Sequence, residues 1–168
     1  SLIITLDGGG RDYVNGQEFI TAFTVWEGKG NKIYAVDILP CTDLNLGGLW
    51  AKCTEHIFGL SVNHPKGNQA GTVMAMASLG DTKYSNYFDD NCKDGTSINT
   101  NLLKDLASKS EQDKFDIACS LQTYTEDIIK KLLLKYLDSK KHRYLCLAGG
   151  VALNSVMVGK IQEWFPYI

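Results

Sequence analysis

The alternation of apolar and polar positions divides the chain first into strands. Residues 1–6 form an apolar run rich in β-branched side chains, which predicts a buried strand ending in Asp7-Gly8-Gly9-Gly10. A second strand is predicted over residues 18–26, again from β-branched and aromatic content, followed by the turn sequence Glu27-Gly28-Lys29-Gly30-Asn31. Residues 32–39 alternate, with Ile33, Ala35 and Asp37 on one face and Tyr34, Val36 and Ile38 on the other, until Pro40 ends the pattern. Three successive strands joined by glycine-containing turns read as an antiparallel meander.

The period then changes to that of a helix. Asp43 or Asn45 is placed to cap a helix over residues 46–58, whose apolar face is Leu46, Leu49, Trp50, Cys53 and Ile57. Residues 59–68 read as a loop. Residues 69–79 read as a helix with Val73, Met74, Met76 and Ala77 inward, stopped by Gly80. Residues 81–100 are polar and predict an irregular surface excursion with a short strand over 84–88, and Leu102, Leu103 and Leu106 mark a short helix. The longest helical pattern covers residues 111–137. Ile117, Leu121, Tyr124, Ile128 and Leu132 lie on its buried side, with Glu126, Asp127, Lys130, Lys131 and Lys135 on its wet side.

After a polar break at residues 140–143, the apolar run 144–148 predicts another strand. It meets Gly149-Gly150 and then a helix with Val151, Leu153, Val156, Met157, Ile161 and Trp164 as its apolar positions. Returning from a helix to a strand implies a parallel crossover onto the meander. The order β-β-β-α, further helices, β-α is an α/β plan shared by ribonuclease H-like and actin-like half-domains. With no repeat and no low-complexity linker, residues 1–168 read as a single domain.

Composition narrows the function classes. The chain is 44% hydrophobic and 21% charged, with a net charge of −2 and no basic cluster, which argues against a nucleic-acid surface. No apolar run approaches the roughly 20 residues that span a membrane, and no secretory signal pattern opens the chain. Five cysteines form no CxxC pair, and Cys119 and Cys146 sit in apolar patterns as small hydrophobes, so a reduced, cytoplasmic compartment is expected. The histidines His56, His64 and His142 are scattered outside any HxxxH or HExxH spacing. The absence of an initiator methionine and the ending at Phe165-Pro166-Tyr167-Ile168 read as a fragment of a longer polypeptide.

Two glycine stretches carry the candidate chemistry. Gly149-Gly150 lies between a strand and a helix, where backbone N–H groups and the helix dipole favour an anion such as phosphate. The same glycines would equally serve a close-packed turn without ligand. Asp7-Gly8-Gly9-Gly10 offers a carboxylate at a strand end, able to hold a cation, beside a flexible backbone rich in N–H donors. Asp-Gly is also ordinary hairpin chemistry. His56 and His64 are general-base candidates, or a plain helix-face and loop histidine. Tyr84 and Tyr87 with Phe88 line a pocket or anchor a loop.

Leu147-Ala148-Gly149-Gly150-Val151-Ala152-Leu153-Asn154 resembles a motif of the nodulation-type O-carbamoyltransferases and of the threonylcarbamoyl transferases that modify tRNA. Both belong to the actin-like ATPase superfamily. The carbamoyltransferases carry Asp-Gly-x-Gly-Glu after their first strand. Asp7, Gly8 and Gly10 match, and Arg11 stands where the family has glutamate, supplying a guanidinium suited to phosphate. A third similarity runs through Gly47-Gly48-Leu49-Trp50, His56 to Leu60 and Val73 to Gly80, although the family's glutamate and lysine fall on Ala70 and Thr72. Lys52 or Lys66 could replace that lysine in space, or each is an ordinary solvated lysine.

The resemblance implies a carbamoyltransferase that uses ATP and carbamoyl phosphate to form carbamoyl-adenylate, then passes the carbamoyl group to a small-molecule acceptor. In that scheme Gly149 and Gly150 hold nucleotide phosphate, Gly8, Gly9 and Gly10 hold a second anionic group, Asp7 orients a metal or water, and Asn154 hydrogen-bonds ligand. The implied divalent metal is iron or magnesium, with its histidine pair just before Ser1 and a closing aspartate just after Ile168, in the remainder of the parent polypeptide. An actin-like phosphotransferase and a non-catalytic nucleotide-binding relative are the alternatives, the latter favoured by Arg11, Ala70 and Thr72.

Overall fold

The computed structural model describes residues 1–14, 16–60, 68–92 and 98–168. Strands β1 (Leu2–Val14), β2 (Gln17–Lys29) and β3 (Lys32–Pro40) are followed by helices α1 (Leu46–His56), α2 (Ala70–Ala77), α3 (Ser85–Asn91), α4 (Thr100–Lys109) and α5 (Glu111–Tyr136). Strand β4 (Leu145–Ala148), a short 3₁₀ turn (Gly150–Leu153) and α6 (Ser155–Trp164) complete the chain. The sheet order is β3-β2-β1-β4, with the first three strands antiparallel and β4 parallel to β1. The expected α/β arrangement, a meander extended by a parallel strand and flanked by helices, is therefore the one observed.

Two compact units divide the chain, one of residues 1–47 and 128–168, the other of residues 48–127. The first is built on the sheet. Leu2, Ile4 and Leu6 alternate inward along β1 and are at most 2% exposed, as the two-residue strand period requires. With Phe23, Leu147, Ile129, Leu132 and Leu133, Ile4 and Leu6 line one apolar seam. On β1 and β2, Thr5 and Thr24 share a hydroxyl hydrogen bond of 2.6 Å, and Trp26 Nε1 donates to Thr24 Oγ1 at 2.7 Å. Burial of this apolar face stabilises the sheet by about 25 cal/mol per Å² removed from water.

The second unit is helical. Ser110 Oγ accepts the Asp113 N–H at 3.2 Å and starts α5, whose first turn carries Glu111 and Asp113 against the helix dipole. Trp50 Nε1 donates to Thr125 Oγ1 at 2.9 Å, and Tyr84 N–H donates to Ser120 Oγ at 2.9 Å, so these polar groups are satisfied by neighbouring elements, whereas the buried Thr54 and Ser85 hydroxyls have no partner among the described residues. The apolar face expected for α1 is buried as read: Leu46, Leu49, Trp50, Cys53 and Ile57.

Several expectations are corrected. Asp7 to Gly10 does not end the first strand, because β1 continues to Val14 through a register shift against β2. The short strand expected at 84–88 is helix α3. Phe88 is fully buried beside the Tyr124 ring at 6.0 Å, a packing demand that outweighs local β propensity. Glu126 is buried, accepting from Gln122 Nε2 at 2.7 Å, and Ile129 and Leu133 rather than Ile128 and Leu132 lie deepest. A helix of 26 residues turns its buried face as its surroundings change, and hydrogen bonding lets a carboxylate enter that face. Leu153 and Val156 are exposed, because the 3₁₀ turn shifts the helical phase between Val151 and Met157. Cys146 is also exposed, on an edge strand. The first half of β3, also an edge, is exposed on both faces.

Candidate functional site

Parallel pairing of β1 and β4 brings the two glycine stretches to one end of the sheet. The register runs from Leu2↔Leu145 to Thr5↔Ala148, so both strands leave their shared ladder side by side, at Leu6 on β1 and Gly149 on β4. Ligands of open α/β sheets bind at this carboxyl end of the parallel strands. Gly149 has φ +97°, and a Cβ there would lie 2.2 Å from the Leu6 carbonyl oxygen. Only glycine satisfies both the dihedral and the approach. At Gly150 a Cβ would lie 3.3 Å from Asp7 Oδ1, which places the carboxylate directly beside the turn.

A bulge in β1 sets the position of Asp7. Leu6 pairs with Phe23 and Gly10 with Thr21, so Asp7, Gly8 and Gly9 stand opposite Ala22 alone. Extra residues in one strand bend it and re-aim its side chains. Asp7 is exposed, and its Oδ1 accepts the Gly8 N–H at 2.7 Å. Asn45, just before α1, donates from Nδ2 to the Gly8 carbonyl at 3.0 Å. Gly47 closes on the same backbone, where a Cβ would stand 2.3 Å from Gly8 N and 2.5 Å from the Asp7 carbonyl carbon.

The structure thus gathers Asp7, Gly8, Gly149 and Gly150 and adds Asn45 and Gly47, which sequence reasoning had not counted as site residues. Gly9 instead lies near Cys41, whose Sγ would be 3.5 Å from its Cβ, and Gly10 has re-entered the ladder. Burial raises the Cys41 thiol above its ordinary pKa, so the thiol there is not an activated nucleophile. Asn154 is 2% exposed, and its Oδ1 accepts the Met157 N–H at 3.1 Å as the cap of α6. Arg11 forms an exposed ion pair with Glu18 at 3.0 Å.

The other candidates sit elsewhere. His56 is exposed in the last turn of α1, and Lys52 Nζ donates to the Ile98 carbonyl at 2.9 Å. Thr72 is exposed and Ala70 half-buried at the start of α2. Tyr84 and Tyr87 anchor α3 through hydrogen bonds to Asp113 and the Asn99 carbonyl. His64 and Lys66 lie outside the described residues. Among the described residues no group of three or more His, Cys, Asp or Glu side chains is arranged to hold a metal. None of the helices there is long and apolar enough to cross a membrane.

Chemically, the site offers one exposed carboxylate beside a glycine turn at the end of two strands. Gly8 cannot offer its N–H to an anion while Asp7 accepts it. A lone carboxylate there suits a hard cation that completes its shell with phosphate oxygens and water, as magnesium does. Iron, which favours imidazole, would require ligands from beyond these residues.

The uncharacterized protein sll1178 of Synechocystis sp. (strain ATCC 27184 / PCC 6803 / Kazusa) is 27% identical over 168 residues, covering 82% of this chain and 26% of the relative. The chain therefore spans about a quarter of that protein's length. Residues 13–167 match the family described as Carbamoyltransferase N-terminus, a span that includes Asn45, Gly47, Gly149, Gly150 and Asn154 and begins just after the β1 bulge. The chain belongs to the carbamoyltransferase N-terminus family.

Proposed function

We propose that this chain supplies part of the nucleotide site of an ATP-dependent carbamoyltransferase. The enzyme forms carbamoyl-adenylate from ATP, carbamoyl phosphate and water. Hydrolysis of carbamoyl phosphate to carbamate releases phosphate, attack of carbamate on the α-phosphate of ATP releases pyrophosphate, and the carbamoyl group then passes to a hydroxyl or amine of a small-molecule acceptor with release of AMP. The observation that carries this reading is the approach of Gly150 to the Asp7 carboxylate at the carboxyl ends of β1 and β4. Backbone at Gly149 and Gly150 lies against the triphosphate, and Asp7 holds a divalent cation that offsets its charge. Asp7 beside bare phosphate would repel it, so the cation is what makes the two compatible. Asn154 shapes the turn by capping α6. Gly8 and Gly9 give the bulge its course, and Gly10 rejoins the ladder. The five cysteines, all among the described residues, form no disulfide, which fits a reduced, cytoplasmic setting.

The test is pyrophosphate exchange into ATP by the full-length protein. Exchange that requires carbamoyl phosphate and falls on Asp7→Asn substitution is expected. ATP turnover without any dependence on carbamoyl phosphate would point to a phosphotransferase, and no ATP binding at all would leave a non-catalytic relative. A site filled to about 100 times its Kd should add roughly 2.7 kcal/mol of stability, readable as a thermal shift.

A further inference from the structure

Both polar groups of Gly8 are engaged. Its N–H donates to Asp7 Oδ1 at 2.7 Å, and its carbonyl accepts Asn45 Nδ2 at 3.0 Å. The Asn45 amide comes from outside the bulge, 37 residues further along the chain. Gly47, two residues on, packs against the neighbouring Asp7–Gly8 peptide, so both peptides that flank the Gly8 Cα are held. A glycine bulge is otherwise among the most freely rotating backbones available, and its rotation would swing Asp7 away from Gly150. We infer that Asn45 is a positioning residue for Asp7. Its amide fixes the Gly8 carbonyl and with it the bulge, and the Gly8 N–H holds Asp7 Oδ1, so that the carboxylate stays beside Gly150. The inference rests on the reading of Asp7 as a cation-holding residue and adds the residue that sets its orientation.

The position of Asn45 allows a discriminating substitution. Serine caps a helix about as well as asparagine, but its shorter side chain has no amide to reach the Gly8 carbonyl. Asn45→Ser therefore preserves any service to α1 and removes the contact to the bulge. The probe is Mn²⁺, followed by its paramagnetic resonance in full-length protein with ATP present. Asp7→Asn and Asn45→Ser are compared with the unaltered protein, and ATP binding is also measured with metal chelated.

Asn45→Ser is expected to raise the Mn²⁺ concentration for half-saturation about tenfold, the usual effect of losing a partner that orients a ligand. Metal-free ATP binding and thermal stability should stay unchanged. If Asp7→Asn weakens Mn²⁺ and Asn45→Ser does not, the positioning role is overturned while Asp7 keeps its own. If Asp7→Asn leaves Mn²⁺ binding intact, or the unaltered protein binds no ATP, the reading of the site falls and the inference with it. Equal loss of Mn²⁺ binding and thermal stability in Asn45→Ser would make Asn45 a structural residue and also overturn the inference.

Discussion

The two glycine stretches reach the same end of the sheet by opposite means. Gly149-Gly150 ends a strand, and Gly8-Gly9-Gly10 lies within one that continues to Val14. At Gly149 the positive φ and the 2.2 Å approach to Leu6 make glycine a steric necessity. At Gly10 a Cβ would meet nothing nearer than the Thr21 carbonyl oxygen at 3.9 Å, an ordinary contact. Glycine content alone therefore does not mark a ligand turn. The first stretch is glycine because backbones must touch, and the second because β1 must bend to aim Asp7.

The sharpest way to break this contrast is Gly149→Ala. Its Cβ would meet backbone rather than a yielding side chain, so β4 and β1 must separate. A loss of about 3 kcal/mol or more is expected in denaturant unfolding. A loss under about 1 kcal/mol would show that the turn relaxes and that close packing does not explain the residue. Asn154→Ala is next. It removes the Oδ1 acceptor for Met157 N–H in a position 2% exposed, and about 1–2 kcal/mol should be lost from the same unfolding transition.

How much of this was legible in the sequence varies with the range of the contact. The strand before Gly149 and the glycine turn itself were readable, because an apolar run bounded by glycines is a local signal. The pairing Thr5↔Ala148 was not, since parallel neighbours are chosen by the whole core rather than by their own residues. The sequence marks Asp43 or Asn45 as a helix cap, and the reach of Asn45 to Gly8 crosses 37 positions. Gly47 did leave a trace. A glycine in the first turn of an apolar helix costs about 1 kcal/mol against alanine, and with no bend to make there it implies a close backbone neighbour. Glu126 was misread because charge at helical spacing marks the solvent side only when nothing inside pairs with it.

A change to the shared frame should move both stretches together. On β3, the Asp37 carboxylate accepts the Tyr136 hydroxyl and lies 3.4 Å from Lys135 Nζ, tying the edge strand to the end of α5. The tyrosine hydroxyl, followed by Lys135, holds the Asp37 pKa below the ordinary carboxylate value despite an opposing burial effect. A depressed carboxylate contributes stability above its unfolded pKa and loses it as pH falls through its folded value. Acid unfolding should therefore include an Asp37 contribution below about pH 4, and Asp37→Asn should remove it. At neutral pH the same substitution should cost about 1 kcal/mol, discounted because the carboxylate is about a third exposed. Amide exchange at Gly9 and Gly150 should rise in parallel, and a rise at one alone would separate the stretches that the sheet is held to join.

The smallest expected effect is the most selective. Gly10 has returned to the β1–β2 ladder opposite Thr21, and space exists for a methyl group. Replacing glycine by alanine where the backbone permits it reduces the freedom of the unfolded chain, a gain of about 0.4–1 kcal/mol. Gly10→Ala should therefore leave stability unchanged or raise it slightly, and should leave Mn²⁺ and ATP binding by the full-length protein unchanged, because Gly10 lies past the bulge that aims Asp7. Loss of nucleotide binding in a stable Gly10→Ala protein would mean that the later part of the stretch also meets ligand. The two glycine stretches would then be alike in function as well as in composition, and the contrast drawn from their geometry would fail.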